Sequence, residues 1–191
     1  MTVSSIFEAA KTASLPVNPF IIADLLGITV VSYKTFCDYF GIEQPSLYEK
    51  SALGFSARID NRFVIAVNEN SCSERRKRFT IAHELGHCVL GHNIGGTILP
   101  SDERAADKFA AELLAPLSVL ILCGAENADE IKKICGISDK AAEIRFEELV
   151  KMRRKNFLLS DENRRLTEIF ADFIARYRSG MNRSVYFPIS R

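Results

Sequence analysis

The 191-residue sequence lacks the features of an exported or membrane-embedded protein. Its longest largely apolar stretch, Leu117 to Ala125, is nine residues long, whereas a helix that spans a bilayer needs about 20. The first residues have neither the basic region nor the apolar region of a secretory signal. The sequence therefore predicts a cytoplasmic protein that does not associate with membranes.

Cysteine, glycine and proline are also scarce. The five cysteines are odd in number and form no Cys-x-x-Cys pair, which argues against a disulfide framework and against a thiolate metal site. With 10 glycines and 6 prolines, the chain is neither collagen-like nor of low complexity. We therefore expect a globular protein with a buried core and ordinary buried thiols.

The charge is balanced overall but unevenly distributed. The net charge is +1, yet residues 1–150 carry −5 and residues 151–191 carry +6. Four basic residues lie close together in the C-terminal segment: Lys151, Arg153, Arg154 and Lys155. This pattern indicates a solvated helical face, or a surface for an acidic partner or nucleic acid.

The first fifty residues suggest two short helices followed by a strand. Apolar residues recur at helical spacing from Ser4 to Leu26, and Pro16 and Pro19 interrupt the pattern. The β-branched run Ile28 to Tyr33 is typical of a strand. We expect the stretch that follows, through Pro45, to be irregular.

A β-hairpin and two longer helices come next. Phe55 to Ile59 and Arg62 to Val67 alternate in hydrophobicity on either side of Asp60-Asn61, a two-residue turn signal. A capping box at Ser71 and Glu74 predicts the start of a helix that ends near Gly91. A second helix should begin near Ser101 and end before Pro116, and most of the later chain has helical spacing.

All three histidines lie within ten residues, in the run His83-Glu84-Leu85-Gly86-His87 and then His92. On a helix, His83 and His87 are four residues apart and project side by side, so both imidazoles can bind one zinc ion. Glu84 lies about 100° round the helix, where it can act as general base on the water that zinc activates.

A catalytic zinc site needs a third protein ligand and one open position. The second helix offers four carboxylates: Asp102, Glu103, Asp107 and Glu112. Glu103 and Asp107 are four residues apart and share a face. We predict that Glu103 is the third ligand and that Asp107 accepts a hydrogen bond from a ligating histidine.

Other residues near the motif have simpler interpretations. His92 should point to the opposite side of the helix and interact with its last carbonyls, and Cys88 should belong to the core. Gly86 should allow close approach of the hairpin or of a substrate strand. Peptide hydrolysis at such a site would also need a hydrogen-bond donor to the oxyanion that forms. The candidates are Tyr33, Tyr39 and Tyr48, only because a tyrosine hydroxyl can donate in this way. The His-Glu-x-x-His pattern could also be an ordinary charged helix surface without a metal.

Three segments together resemble the ImmA/IrrE family of metallopeptidases. They are Ile65-Ala66-Val67-Asn68, the run Arg78 to His87 around the His-Glu-x-x-His motif, and the run Glu103 to Pro116. The resemblance covers roughly residues 15–149. It implies an α+β, zincin-like catalytic domain in which a small β-sheet or hairpin packs on the motif helix, followed by a mostly helical C-terminal region.

The resemblance also implies an activity and a partner. Members are bacterial or phage-borne cytoplasmic zinc peptidases that cleave a helix-turn-helix repressor to induce mobile-element or stress-response genes. By position, His83, His87 and Glu103 would bind one Zn²⁺ per chain and Glu84 would be the catalytic base. Asp107 departs from the family, which usually has Asn there. Either side chain can accept a hydrogen bond from histidine, so we expect the site to survive.

The resemblance suggests a division into a peptidase domain, residues 1–122, and a helical region, residues 123–191. Residues 129–149 have the outline of a helix-turn-helix, with Gly136 at the turn and Ser138 capping the second helix. A plain helical hairpin fits equally well, because the second helix carries more acid than base and would repel phosphates. Direct DNA binding and the oligomeric state stay open.

Two functions remain in competition. The first is a zinc endopeptidase whose extended substrate pairs with the hairpin along Arg62 to Val67. The second is a regulatory module that contains zinc and binds a repressor or DNA without cutting. Glu84 favours the peptidase, because a purely structural zinc fills its fourth position with a ligand and needs no general base.

Overall fold

The fold is known from a computed structural model, which describes residues 1–11, 13–70, 73–92, 97–154 and 160–180. It is an α+β fold in which a three-stranded mixed sheet packs against one long helix and helices make up most of the remainder. This confirms the predicted fold class. Within the described ranges no helix is both long and apolar enough to cross a bilayer.

The N-terminal elements follow the predicted order up to the first strand. Helix α1 spans Val3–Ala10, α2 spans Pro19–Leu25 and strand β1 spans Thr29–Ser32. Asn18 caps α2 by accepting a hydrogen bond from the Phe20 N–H at 3.0 Å. The two predicted helices and the strand are therefore present.

The irregular stretch expected after this strand is instead two helices, and that prediction was wrong. Helix α3 spans Tyr33–Phe40 and α4 spans Gln44–Lys50. Ser32 caps α3 by accepting from the Thr35 N–H at 3.0 Å, and Gly41 ends it in the left-handed conformation at φ 64°. Proline in the first turn of α4 is also compatible with helix, because its missing N–H would have no partner there.

The hairpin prediction is confirmed. Strand β2 spans Gly54–Ile59, strand β3 spans Arg62–Val67, and they pair antiparallel with Phe55 opposite Ala66. Asp60 and Asn61 form the turn with positive φ at both positions, 46° and 67°, as a type I′ turn requires. The sequence pattern and the turn chemistry therefore agree on one register.

The sheet order places β3 in the centre. It pairs with β1 in parallel on one side and with β2 on the other, giving the order β1-β3-β2. A strand that is paired on both sides has no free edge for an added strand. The proposed substrate edge along Arg62 to Val67 was therefore wrong, and the available edge of the hairpin is β2.

Helices α5, Glu74–Leu90, and α6, Pro100–Leu114, carry the predicted site residues and pack against each other. Ser71 of the predicted capping box lies outside the described residues, and Ser73 is the residue at the N-cap. A Cβ added at Gly86 would lie 3.1 Å from the Ala106 Cα of α6. Gly86 thus permits close approach of α6, and the prediction that it admits the hairpin or a substrate strand was wrong.

In the described part of the chain five further helices follow: α7 Leu117–Cys123, α8 Ala128–Cys135, α9 Asp139–Arg153, α10 Asp161–Ile169 and α11 Ala171–Arg178. Gly136 ends α8 in the left-handed conformation, and Ser138 caps α9 by accepting from the Ala141 N–H at 3.3 Å. Buried Arg145 of α9 donates to the Ala115 carbonyl at 2.9 Å and pairs with Glu112 of α6. These contacts attach the predicted helix-turn-helix segment to the C-terminal end of α6.

One hydrophobic cluster joins the two ends of the chain. Ile6 of α1, Leu85 of α5, Leu113 of α6 and Phe170 before α11 all belong to it and are fully buried. The Phe7 and Phe170 rings meet edge to face with centroids 4.9 Å apart. The C-terminal helices therefore share a core with α1, α5 and α6, while the predicted boundary at residues 122 and 123 stays a prediction.

We predict that the buried thiols of the native protein resist alkylation. Burial raises the pKa of Cys88, Cys123 and Cys135 to about 12, so thiolate is scarce at neutral pH. Iodoacetamide at pH 8, followed by peptide mass spectrometry, should leave these three cysteines unmodified in the native protein and modify them after denaturation. Rapid labelling of the native protein at any of the three would contradict this.

Candidate metal centre and active site

A cleft of about 680 Å³ lies beside the sheet, between β2, α5 and α6. Strand β2 forms one wall with Gly54 to Arg58, and the opposite wall carries the His-Glu-x-x-His residues and α6 side chains. All five predicted site residues line this cleft: His83, Glu84, His87, Glu103 and Asp107. They come together because α5 and α6 pack closely at Gly86.

Among the described residues, three of the predicted ligands form a cluster that can hold a metal ion: His83, His87 and Glu103. The Nε2 atoms of the two histidines lie 3.0 Å apart. The Glu103 carboxylate oxygens lie 3.2 Å from Nε2 of His83 and 3.6 Å from Nε2 of His87. The two histidines are one helical turn apart on α5, and α6 brings the carboxylate to them.

The donor set fits a small tetrahedral cation. For an ion about 2.05 Å from each donor, neighbouring donors of a tetrahedron lie about 3.3 Å apart. The three observed separations lie on both sides of that value. Two imidazole nitrogens and one carboxylate also match the protein ligands of catalytic zinc sites. The residues present therefore suit Zn²⁺.

Asp107 contacts the far side of one of these histidines. Its Oδ1 lies 2.8 Å from Nδ1 of His83. A carboxylate accepts, so His83 carries its proton on Nδ1 and its Nε2 lone pair faces the cluster. This is the contact that the sequence predicted for Asp107.

His87 is nearly inaccessible, with 1% of its surface exposed. Burial lowers the pKa of its imidazole, with the neighbouring His83 adding to the effect. The neutral form is therefore favoured, which is the form that binds a metal. Burial thus prepares His87 for coordination.

Glu84 does not join the cluster but lies beside it, as the general-base prediction requires. The carboxyl is buried, and its Oε2 accepts a hydrogen bond from the Ser56 Oγ at 2.6 Å. Burial raises the pKa of Glu84 above its ordinary value, and the Ser56 hydrogen bond opposes the shift. A carboxyl with a raised pKa is better matched to accepting and returning a proton near neutral pH.

Ser56 is a site residue that sequence reasoning missed. It lies in β2, 28 positions before Glu84 in the chain, and lines the cleft. The alternation of the hairpin indicates which strand residues share a face, but not that this face meets α5. Only the packing of β2 on α5 brings the hydroxyl to the carboxylate.

Other expectations about the neighbourhood were wrong or found no support. His92 does not point away, because its Nδ1 lies 3.1 Å from Nδ1 of His87. Tyr33 is fully buried and donates to the Ser51 carbonyl at 3.0 Å, and Tyr39 is 81% exposed. Neither they nor Tyr48 line the cleft. Cys88 is buried in the core, as expected.

Comparison with known proteins gives one family match. A family model described as the IrrE N-terminal-like domain, Peptidase_M78, matches residues 37–147, which is more than half of the chain. The matched segment contains β2, β3, α5 and α6, and thus every residue of the cleft described above. No curated protein matches the chain.

Proposed function

Because the chain belongs to the Peptidase_M78 family, whose domain is IrrE N-terminal-like, we propose that this peptidase is a zinc-dependent endopeptidase. We further propose that it cleaves a helix-turn-helix transcriptional repressor and thereby induces mobile-element or stress-response genes. The observation that carries the peptidase mechanism is the convergence of two imidazoles and one carboxylate on one point, with a buried carboxyl beside them. The repressor rests on the family resemblance.

His83, His87 and Glu103 would hold the zinc ion. When bound, zinc supplies a Lewis acid that polarises the substrate carbonyl and acidifies water. Asp107 holds the His83 ring from behind, so that little reorganisation is needed when the ion enters. Because catalytic zinc sites have three protein ligands, these residues would supply the full protein set for such a site.

Glu84 performs the proton transfers. Its carboxylate accepts a proton from the water that attacks the peptide carbonyl carbon, and then donates this proton to the leaving amine nitrogen. The Ser56 hydroxyl donates to Oε2 of this carboxylate and holds it beside the metal ligands. The bond that breaks is the carbonyl carbon to nitrogen bond of the substrate, and one water is consumed.

Strand β2 is the surface along which an extended substrate would lie. It is the edge of the sheet on the side of the cleft, and it contains the Ser56 that contacts the catalytic base. A peptide that adds to this edge by backbone hydrogen bonds would pass directly over Glu84. Binding by strand addition would require the substrate to be extended or locally unfolded at the cleaved bond.

Removing the Arg58 N–H should weaken cleavage. The two-residue turn makes Ile59 and Arg62 a hydrogen-bonded pair, so the next pair, Arg58 and Phe63, is not, and the Arg58 N–H points away from β3. We expect Arg58→Pro to lower the cleavage rate at least tenfold, by an order-of-magnitude estimate for one lost hydrogen bond and a blocked edge.

Arg58→Ala is the matched control, because it removes the same side chain and keeps the N–H. Initial rates of fragment formation should differ between the two variants while their unfolding temperatures agree. Equal rates for Arg58→Pro and Arg58→Ala would show that the substrate does not pair with β2.

The direct test of the proposed function uses the helix-turn-helix repressor encoded beside the gene as substrate. Zinc-loaded protein should cut it into two fragments, and their masses identify the bond. A chelator should abolish the fragments, and addition of zinc should restore them. Retained cleavage in the chelator would contradict a metal-dependent mechanism.

The competing function gives a different result in the same experiment. A non-cleaving regulator would leave the repressor intact while the two proteins elute together in size-exclusion chromatography. Direct DNA binding has little support, because three exposed acidic residues of α9, Asp139, Glu143 and Glu147, offset its exposed basic residues Lys140, Lys151 and Arg153. Glu84, held by Ser56, favours the enzyme.

A further inference from the structure

The two histidines of the metal cluster are held from behind in different ways. His83 meets a carboxylate directly, through the 2.8 Å contact between its Nδ1 and Asp107. His87 meets a second imidazole, since its Nδ1 lies 3.1 Å from Nδ1 of His92. The other nitrogen of His92, Nε2, faces Oδ1 of Asp102 at 3.9 Å. Both chains of contacts end on α6, which also carries Glu103.

The end of α5 places His92 in this position. Gly91 adopts the left-handed conformation at φ 77°, and the chain turns back. The His92 N–H then donates to the His87 carbonyl at 3.0 Å, and the Gly91 N–H donates to the Cys88 carbonyl at 3.3 Å. These two bonds are the Schellman pattern of a helix C-terminus. The turn therefore ties His92 to His87 through the main chain and puts their rings side by side.

Proton positions follow from what each nitrogen faces. The Nε2 of His87 faces the cluster and must present a lone pair to bind a metal, so in the neutral ring the proton is on Nδ1. This Nδ1–H can only donate to the Nδ1 of His92 if that atom is unprotonated. His92 then carries its proton on Nε2, on the side of Asp102. The hydrogen bond thus runs from His87 to His92, and the remaining proton of His92 points toward Asp102.

From this geometry we infer that His92 is a positioning residue for metal binding, which accepts the His87 Nδ1–H and holds Nε2 of His87 toward the ion, with Asp102 behind it. The inference rests on the metal site of the proposed function but not on the peptidase reaction. His92 itself is not a ligand, because its Nδ1 is engaged by the far side of His87 and it lies outside the cluster of three.

The test is zinc affinity, measured by competition with a chromophoric chelator and without any substrate. His92→Leu keeps apolar bulk and removes the acceptor, and should weaken zinc binding about 10- to 100-fold, the usual effect of losing such a support. His92→Asn places an amide oxygen where Nδ1 stands, and should bind zinc within about threefold of the wild-type protein. Thermal unfolding of the metal-free variants reports any general loss of structure.

Wild-type affinity in His92→Leu would overturn the inference. Equal losses in His92→Leu and His92→Asn would also overturn it, because they would show that the imidazole volume matters and the acceptor does not. Rescue by asparagine is the result that a merely structural role does not produce.

A second measurement needs no variant. Long-range ¹H–¹⁵N correlation spectra of the zinc-loaded wild-type protein should show His87 protonated on Nδ1 and His92 protonated on Nε2. A proton on Nδ1 of His92 would overturn the inference, because that nitrogen could not then accept from His87. If the protein bound zinc but did not cleave the repressor, the proposed function would fail while these spectra would still decide the hydrogen bond between the two rings.

Discussion

Glu84→Gln should lower the rate of repressor cleavage by about 10²- to 10⁴-fold, the usual contribution of a positioned general acid–base group. Glutamine keeps the size of the side chain and can still accept the Ser56 hydrogen bond through its amide oxygen. It cannot take a proton from water or return one to the leaving amine. The measurement is the initial rate of fragment formation, together with zinc content per chain, which should equal that of the wild-type protein.

Glu147→Gln is the matched control for this experiment. Glu147 is an exposed glutamate of α9, and the same substitution there should leave the cleavage rate unchanged. A Glu84→Gln protein that binds zinc normally and cleaves within threefold of the wild-type rate would exclude Glu84 as the base.

Glu103→Ala should have the second large effect, the loss of zinc binding. The substitution removes the only carboxylate of the three-residue cluster and leaves two imidazoles on α5. Loss of a supporting hydrogen bond already costs about 10- to 100-fold in affinity, so we expect loss of a ligand to exceed about 100-fold. Cleavage should fall with it.

Two measurements check the Glu103 prediction. Chelator competition gives the affinity, and thermal unfolding with and without zinc gives the stabilisation that binding confers on the folded state. Zinc should raise the unfolding temperature of the wild-type protein and of Glu147→Ala, but not that of Glu103→Ala. Unchanged zinc affinity in Glu103→Ala would show that Glu103 is not the third ligand. Asp102 and Glu112 would be poor replacements, because the first faces His92 and the second pairs with Arg145.

The two helices of the site show how far local spacing carries a prediction. Residues four apart on one helix share a face whatever surrounds them, so His83 beside His87 and Glu103 beside Asp107 could be predicted directly. The hairpin was equally accessible, because alternation and the Asp60-Asn61 turn specify the same register. The family resemblance then predicted that the histidines and Glu103 bind the same metal ion.

Short helices after β1 were missed for an equally physical reason. Helix α3 has apolar residues at helical spacing, Tyr33, Phe36, Cys37 and Phe40, but the pattern begins within the β-branched run that predicts the strand and lasts only eight residues. Its signals are the caps, Ser32 at one end and Gly41 at the other. Packing supplies the rest, since Tyr33 and Phe36 of α3 are buried against Phe55 of the sheet.

By itself, the sequence determined the chemical identity of the centre: two imidazoles and an adjacent carboxylate on one helix, and carboxylates on the next. Tertiary structure alone decided which strand faces the cleft, because pairing order, with β3 between β1 and β2, depends on contacts between distant segments. It also decided that Ser56 holds Glu84 and that His92 turns back onto His87. Spacing along a chain specifies neighbours within a turn or a strand, whereas contacts between elements arise only when the core packs.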